Sequence, residues 1–396
     1  MILFSVGPGP GALRAPEAVG LLAEAGYEVE VYLESGAREF VGPASFRARG
    51  AAGVTLESEG SGESEEHREA PGSPEALIFA PAGAAGISRL AHGLGEAPPL
   101  RRYAAGARYP CPVVVVPELD PGTAAHPAVK ENLTLLIEDG CVILGASEMG
   151  DSAIGYPAAR DVVARALHEI GGPLDGLHVV VTAGGTREPV DSVRFIGNRS
   201  SGKMGAAVAR EAYRQGARVS VVAANVSEVE PGVDWYPVET FRELQTETTR
   251  LCESADALVM AAAVSDFTPA SPLPDEKIRR GGRETMSLEL SATQDILAGV
   301  RARYPQLPVA AFAATHGDPR PDAREKLAKK GVNLVVGNDI SAPGIGFGSE
   351  DNEAYIVMES VSDGGCEEHF VPRGPKKELA SVILGHLTPA IKHREV

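Results

Sequence analysis

Between Thr182 and Gly205 the chain reads TAGGTREPVDSVRFIGNRSSGKMG, a run of glycines, hydroxyls, an amide and a lysine suited to handling a phosphate. It leaves an apolar strand through Ala183-Gly184-Gly185-Thr186. Ligands of open α/β sheets lie beyond the carboxyl ends of strands, and glycine there lets the main chain approach a phosphate closely. The chain continues from Arg187 to Asn198 before Ser200, Ser201 and Gly202 open a helix. Hydroxyls and unpaired N–H groups at such a start can bind an anion. Lys203 falls in the first turn, where positive charge opposes the helix dipole, so its placement points to a bound anion, with a solvated surface lysine as the plain alternative. The run is not GxGxxG and lacks an acid about 20 residues on, which excludes the dinucleotide-binding fingerprint.

The elements that must hold this run follow from apolar patterning. The second half predicts strands at Leu177–Thr182, Ala217–Ala223, Ala257–Ala263, Val309–Ala313, Leu334–Val336 and Ala354–Met358, with helices at Gly202–Gln215 and Phe241–Ser254. The first half predicts strands at Ile2–Val6, Tyr27–Leu33, Ala76–Phe79, Val113–Val116 and Cys141–Leu144. A Gly/Pro turn spans Gly7–Gly11, one helix carries Ala18, Leu21, Leu22 and Ala25, and another spans His126–Glu138. Continuous apolar strands alternating with helices predict parallel sheets covered on both faces. The helix Ala159–Ile170 and the turn Gly171-Gly172-Pro173 divide the chain into domains 1–172 and 173–396, with no sequence repeat between them. The acidic stretch Leu56–Glu75 reads as a mobile surface loop.

With 396 residues, 43% hydrophobic and 23% charged, the composition is that of a soluble globular protein of two domains. A formal net charge of −17 argues against general nucleic-acid binding. An anionic substrate must meet a local cluster of cations and main-chain N–H groups. Cys111, Cys141, Cys252 and Cys366 form no CxxC pair and read as reduced thiols. There is no basic leader, and no apolar run approaches the roughly 20 residues of a membrane span, so a cytoplasmic protein is expected.

The run Thr182–Gly205 resembles the signature of phosphopantothenate–cysteine ligase, the C-terminal half of a bacterial bifunctional enzyme family of coenzyme A synthesis. Other segments follow in the family's order. Met260-Ala261-Ala262-Ala263-Val264-Ser265-Asp266 resembles its strand-end motif, and Glu276-Lys277-Ile278-Arg279-Arg280 its lysine-bearing flap. Asp295-Ile296-Leu297 resembles the end of its NPDIL motif, and Ala311-Phe312-Ala313-Ala314 part of its GFAAET motif. Lys326 and Lys330 match two lysines spaced i, i+4, while Asn338-Asp339 and Gly346-Phe347-Gly348-Ser349 close the set. The resemblance implies a Rossmann-like ligase domain that is at least dimeric. There the carboxylate of 4′-phosphopantothenate attacks the α-phosphate of CTP, with Mg2+ present. Pyrophosphate leaves an acyl-cytidylate, and the amine of cysteine displaces CMP. It further implies Asn198 and Lys277 as catalytic residues. Gly184, Gly185, Ser201, Lys203, Met260, Ala261, Ala262, Asp266, Lys277, Asp295, Ile296, Leu297, Phe312, Lys326 and Lys330 are implied as nucleotide-binding. Two departures stand out: Ala292-Thr293-Gln294 replaces the family's Lys-Asn-Pro, and Thr315-His316 replaces Glu-Thr.

The first half resembles the flavin-dependent phosphopantothenoylcysteine decarboxylase of the same family, a flavodoxin-like fold. Arg14-Ala15-Pro16-Glu17 resembles its KAPE, Ala80-Pro81-Ala82 the start of its APATAN, and His126-Pro127-Ala128 with Glu131-Asn132-Leu133 its NPAT…NL. Its chemistry is not carried over. The flavin-phosphate turn GSIAAYK becomes Pro8-Gly9-Pro10-Gly11-Ala12-Leu13-Arg14, and proline has no N–H to give. APATAN loses a hydroxyl and an amide at Gly83 and Ala85. PAMN becomes Pro117-Glu118-Leu119-Asp120, placing Asp120 where a neutral amide meets the substrate carboxylate, and the proton-donating cysteine falls on Met149. His67 fills the catalytic histidine position, inside the acidic stretch, where a surface histidine is the plainer reading. A degenerate domain is expected, without FMN or decarboxylation, retained for an oligomer interface.

The expected function is a CTP-dependent ligase taking small-molecule substrates (4′-phosphopantothenate, cysteine and CTP), with no nucleic-acid or membrane partner. Three alternatives stay open: both activities retained, a related ligase for another carboxylate and amine, or a non-enzymatic scaffold.

Overall fold

The computed structural model describes residues 1–57, 74–95, 97–104, 111–145, 155–226, 232–271, 277–279, 284–341, 348–360 and 365–393. Most of the acidic stretch, with His67, lies outside the described residues, as do Met149, Glu276, Arg280, Gly346 and Phe347. The chain divides into two compact units, Met1–Ile170 and Gly171–Val396.

The first unit contains β1 (Ile2–Val6), β2 (Val29–Leu33), β3 (Gly53–Leu56), β4 (Ala76–Ala82), β5 (Val113–Pro117) and β6 (Val142–Ile143). They form one sheet in the order β3-β2-β1-β4-β5-β6, parallel throughout. Successive strand residues face opposite sides. Ile2, Phe4, Val6, Ile78, Val114 and Val116 therefore meet the helices Ala15–Glu24 and Ala159–Ile170. Leu77, Phe79, Val113 and Val115 meet Ala84–Ala91 and Pro127–Glu138 on the other face. Both faces are covered, which is why the strands read as unbroken apolar runs. Without the short edge strand β3, the order is the 2-1-3-4-5 of flavodoxin-like folds.

The second unit contains β7 (His178–Gly184), β8 (Arg187–Pro189), β9 (Phe195–Gly197), β10 (Arg218–Ala224), β11 (Asp234–Val238), β12 (Ala257–Met260), β13 (Phe267–Pro269), β14 (Leu290–Ala292), β15 (Val309–Thr315), β16 (Leu334–Asp339), β17 (Asp351–Glu359) and β18 (Cys366–Pro375). The main sheet runs β11-β10-β7-β12-β15-β16-β17-β18, with β8–β9 and β13–β14 as separate antiparallel pairs. From β11 to β16 the strands are parallel, in the Rossmann order 3-2-1-4-5-6.

Several sequence expectations need correction here. The strand expected at Ala354–Met358 does not extend the parallel sheet: β17 pairs antiparallel with both β16 and β18. β18 and the helix Lys376–Lys392 were not anticipated. β18 is largely exposed and so lacks an apolar run, whereas the helix buries Leu379, Ile383, Leu384 and Leu387 and packs on the helix Lys203–Arg214. The strand expected to reach Ala263 ends at Met260. Beyond it, Ala263 joins the sheet only through an isolated bridge to Gly185. The helix begun by the capping box of Thr240 and Glu243 ends at Leu251 rather than Ser254. Among the described residues no helix is long and apolar enough to cross a membrane.

Candidate active site at the carboxyl ends of β7, β12 and β15

The strand order of the second sheet reverses at β7, which lies between β10 and β12, so its ligand crevice opens at their carboxyl ends. Gly184 ends β7 at φ 84°, and a Cβ there would lie 2.0 Å from the Ala224 carbonyl oxygen. The turn is latched on both sides. Gly185 N–H donates to Ala224 O at 3.0 Å, and Asn225 Nδ2 donates to Gly185 O at 2.9 Å. On the other side Ala263 N–H donates to Gly184 O at 2.8 Å, and Thr186 N–H to Ala263 O at 3.1 Å. Gly184 is thus required by the fold's own close approach, and the Gly185 N–H is spent within the protein rather than held for a phosphate. Buried Thr182 accepts from Ala262 N–H at 3.0 Å and donates to Met260 Sδ at 3.5 Å. One of the main-chain donors expected to read a base is therefore also committed internally.

The expected anion-binding helix start is revised. The cap falls on Gly202, at φ 79°, and no side chain caps it. The helix lies close on β7 at Gly205, where a Cβ would come 2.6 Å from Ala183 Cβ. Lys203 is turned to the Gly348 carbonyl, at 3.0 Å, and to the Glu350 carboxylate.

Between strand and helix stands the β8–β9 hairpin. Its turn is built by buried Asp191, whose Oδ1 accepts from Val193 N–H at 2.8 Å and Arg194 N–H at 2.7 Å. Its Oδ2 accepts from Ile278 N–H at 3.1 Å, and Arg194 Nη2 donates to Ile278 O at 2.8 Å. Burial works against the charge on Asp191, but these three N–H groups hold its carboxyl below the usual range. The residue after Lys277 is thereby held at both of its main-chain polar atoms, while Lys277 itself is exposed. The sequence reading overlooked Asp191 and Arg194; the Asp-x-x-Arg turn spacing was the available signal. Asn198, at the end of the same insertion, donates from Nδ2 to Val264 O at 2.9 Å, which brings it beside the β12 end.

At the β15 end Lys326 Nζ donates to the Phe312 carbonyl at 2.6 Å. Burial pushes its pKa down and Lys330 adds to the shift, opposed by Asp295 and Asp266. Lys330 pairs with Asp295, which also N-caps the helix Ile296–Arg303 by accepting from Ala298 N–H at 3.0 Å. Burial opposes the Asp295 charge, but these bonds hold its carboxyl below the usual range. Phe312, Lys326, Lys330, Asp295 and Asp266 thus form one neighbourhood. Ile296 and Leu297 differ from expectation. Their side chains are buried in the core with Leu258, Val309 and Leu327, because the first helical turn packs onto the sheet. Only their main chain is left to meet a nucleotide.

Residues 174–390 match the family described as DNA/pantothenate metabolism flavoprotein C-terminal domain, and residues 2–170 the family described as Flavoprotein. The coenzyme A biosynthesis bifunctional protein CoaBC of Bacillus subtilis is 34% identical over 407 residues, covering 99% of this chain and 97% of that protein. Its counterpart in Mycobacterium tuberculosis is 36% identical over 406 residues, covering 97% and 95%. The Escherichia coli counterpart is 31% identical over 399 residues, covering 98% and 96%. The chain belongs to the CoaBC family.

The first unit also has a switch crevice, between the carboxyl ends of β1 and β4. Asp120 has a local task nearby: it N-caps the helix Pro121–Ala125, accepting from Gly122 N–H at 3.0 Å and Thr123 N–H at 3.1 Å. Its charge is stabilised foremost by the Thr123 hydroxyl, which holds its carboxyl below the usual range.

Proposed function

We propose that the unit Gly171–Val396 is a CTP-dependent ligase that joins 4′-phosphopantothenate to cysteine through an acyl-cytidylate. The observation that carries this reading is the convergence of Asn198 and the Lys326–Phe312–Asp295–Lys330 neighbourhood on the carboxyl ends of β12 and β15. The names of the CoaBC relatives, as bifunctional proteins of coenzyme A biosynthesis, support the same pathway.

In the first step the pantothenate carboxylate oxygen bonds to the α-phosphorus, and the bond to pyrophosphate breaks. Lys326, Lys330 and Lys277 counter the triphosphate charge; Lys326 is the best placed, because its ammonium is partly desolvated and its own hydrogen bond goes to the neutral Phe312 carbonyl. In the second step the cysteine amine attacks the acyl carbon, CMP leaves with the acyl bond electrons, and the amine's proton passes to solvent. The Asn198 amide has two N–H bonds. One holds Val264 O, and the other serves the developing oxyanion without taking the amine's proton. Magnesium accompanying a triphosphate needs only one or two protein carboxylates. Among the described residues no group of three metal-ligating side chains exists, so the phosphates would hold most of the ion, with exposed Asp266 as the protein's carboxylate. When bound, the ion supplies charge neutralisation on the leaving pyrophosphate.

The first unit takes no part in this reaction and, on our reading, does not decarboxylate, because Asp120 is an acidic cap where the decarboxylase pattern has an amide. We place the protein in the cytoplasm as a homo-oligomer.

The deciding measurement is pyrophosphate release from CTP with phosphopantothenate, with and without cysteine. Release should require the acid, and Asn198→Ala should retain it while slowing amide formation. Absence of release with phosphopantothenate, or release only with another carboxylate, would overturn the assignment.

A further inference from the structure

The first unit carries a cofactor question that does not depend on the ligase reading. Its turn Gly7–Gly11 lies at the switch crevice, with Gly7 N–H donating to Pro81 O at 3.0 Å. In a flavin fold this turn receives the cofactor phosphate on main-chain N–H groups. Residues 8 and 10 are prolines and offer none. The Ala12 N–H is used by Gly9 O at 3.0 Å. The Gly11 N–H is bonded to both oxygens of the Glu118 carboxylate, each at 2.9 Å.

The carboxylate lies directly on the turn. A Cβ on Gly9, whose φ is 152°, would come 2.2 Å from Glu118 Oε2. Glu118 is itself fixed at the end of β5, where its N–H donates to Ala82 O at 3.0 Å. Beneath the turn the Tyr156 ring fills the space where a Cβ on Gly11 would be, 2.6 Å away. A second acid faces the turn's first residue, with Glu34 Oε1 3.6 Å from the position of a Cβ on Gly7. A phosphomonoester brings nearly two negative charges. To enter here it would have to displace a tethered anion and then remain beside it. The residues present do not fit flavin mononucleotide.

We infer that Glu118 is a built-in substitute for the cofactor phosphate: its carboxylate occupies the turn, holds it in the folded form and closes the first unit to flavin mononucleotide. A flavodoxin-like domain whose turn is completed by its own side chain has no need of a cofactor for that contact.

The test uses the full chain. Flavin fluorescence during titration with FMN should show no quenching by the parent protein. Glu118→Ala should melt at lower temperature, and inorganic phosphate should restore the loss in the variant while leaving the parent unchanged. Hydrogen exchange of the parent provides a readout that needs no variant: the Gly11 N–H should be protected without cofactor, and FMN should not change it. Stoichiometric FMN binding by the parent, an unprotected Gly11 N–H, or a Glu118→Ala protein that melts like the parent and ignores phosphate would overturn the inference.

Discussion

Asp191 and Ile278 are joined across 87 residues of sequence by a 3.1 Å hydrogen bond from the Ile278 N–H to the Asp191 carboxylate. Arg194 completes a two-point hold on the same residue. On the proposed ligase reading, Asp191 is thus a positioning residue for Lys277, through its hold on Ile278. Misplacing a catalytic group by about 1 Å can cost on the order of 100-fold. Asp191→Ala should therefore lower kcat for pyrophosphate release by roughly 10- to 100-fold, with a smaller change in KM for the nucleotide. An unchanged kcat would remove this role.

Lys326 is costly to the empty protein and, on the proposed ligase reading, useful to the filled one. Its pKa is lowered by burial, so the unfolded chain holds the proton more tightly, and stability rises with pH through the lowered value. Lys326→Met should raise the melting temperature of the ligand-free protein at neutral pH and lose this alkaline dependence. It should also weaken nucleotide binding by roughly 10- to 100-fold, the worth of a charged hydrogen bond of about 1.5–3 kcal/mol. Calorimetric melting and nucleotide titration check the two halves separately.

Glu34 has the opposite sign of pH effect from a paired carboxylate. Burial, with Glu57 adding, raises its pKa from 4.5 to about 7. The folded state then binds the proton more tightly, so stability falls as pH rises between those values. Glu34→Gln should flatten this decline and stabilise the first unit at pH above the raised value by up to roughly 3 kcal/mol. Melting curves from mildly acid to mildly alkaline buffer would show it; parallel curves for parent and variant would contradict it.

Gly184→Ala forces a Cβ to within 2.0 Å of a main-chain oxygen at positive φ. Left-handed backbone costs about 1–2 kcal/mol, and overpacking about 1–3 kcal/mol more. A loss of roughly 2–5 kcal/mol is expected in the second unit, read by denaturant unfolding. A variant of parental stability would show that the turn can rearrange.

Val193 and Phe195 on the β8–β9 hairpin and Phe267 on β13 expose apolar side chains, 61%, 52% and 51% accessible, and β8 packs against β13. We expect this surface to meet a second copy of the chain. Phe267→Asp should halve the mass measured by light scattering, whereas a parent protein already monomeric would refute the assignment.

The sequence alone determined where the buried strands of the two parallel sheets lie. Unbroken apolar runs such as Val179–Val181 and Val113–Val116 can be satisfied only by burial on both faces, so the parallel sheets were legible. The order of motifs from Thr182 to Lys330 likewise pointed to the family to which the chain belongs. Tertiary structure decided how the polar groups are spent. No local pattern shows that Gly185 and Ala262 give their N–H groups to Ala224 and Thr182, or that Ile278 is gripped by a hairpin far earlier in the chain. Nor does it show that the Glu118 carboxylate falls on the Gly11 N–H, 107 residues away. Periodicity reports burial, a property of each element's own residues. Hydrogen-bond partners across such separations depend on which strands lie side by side, and that is set only when the sheet assembles.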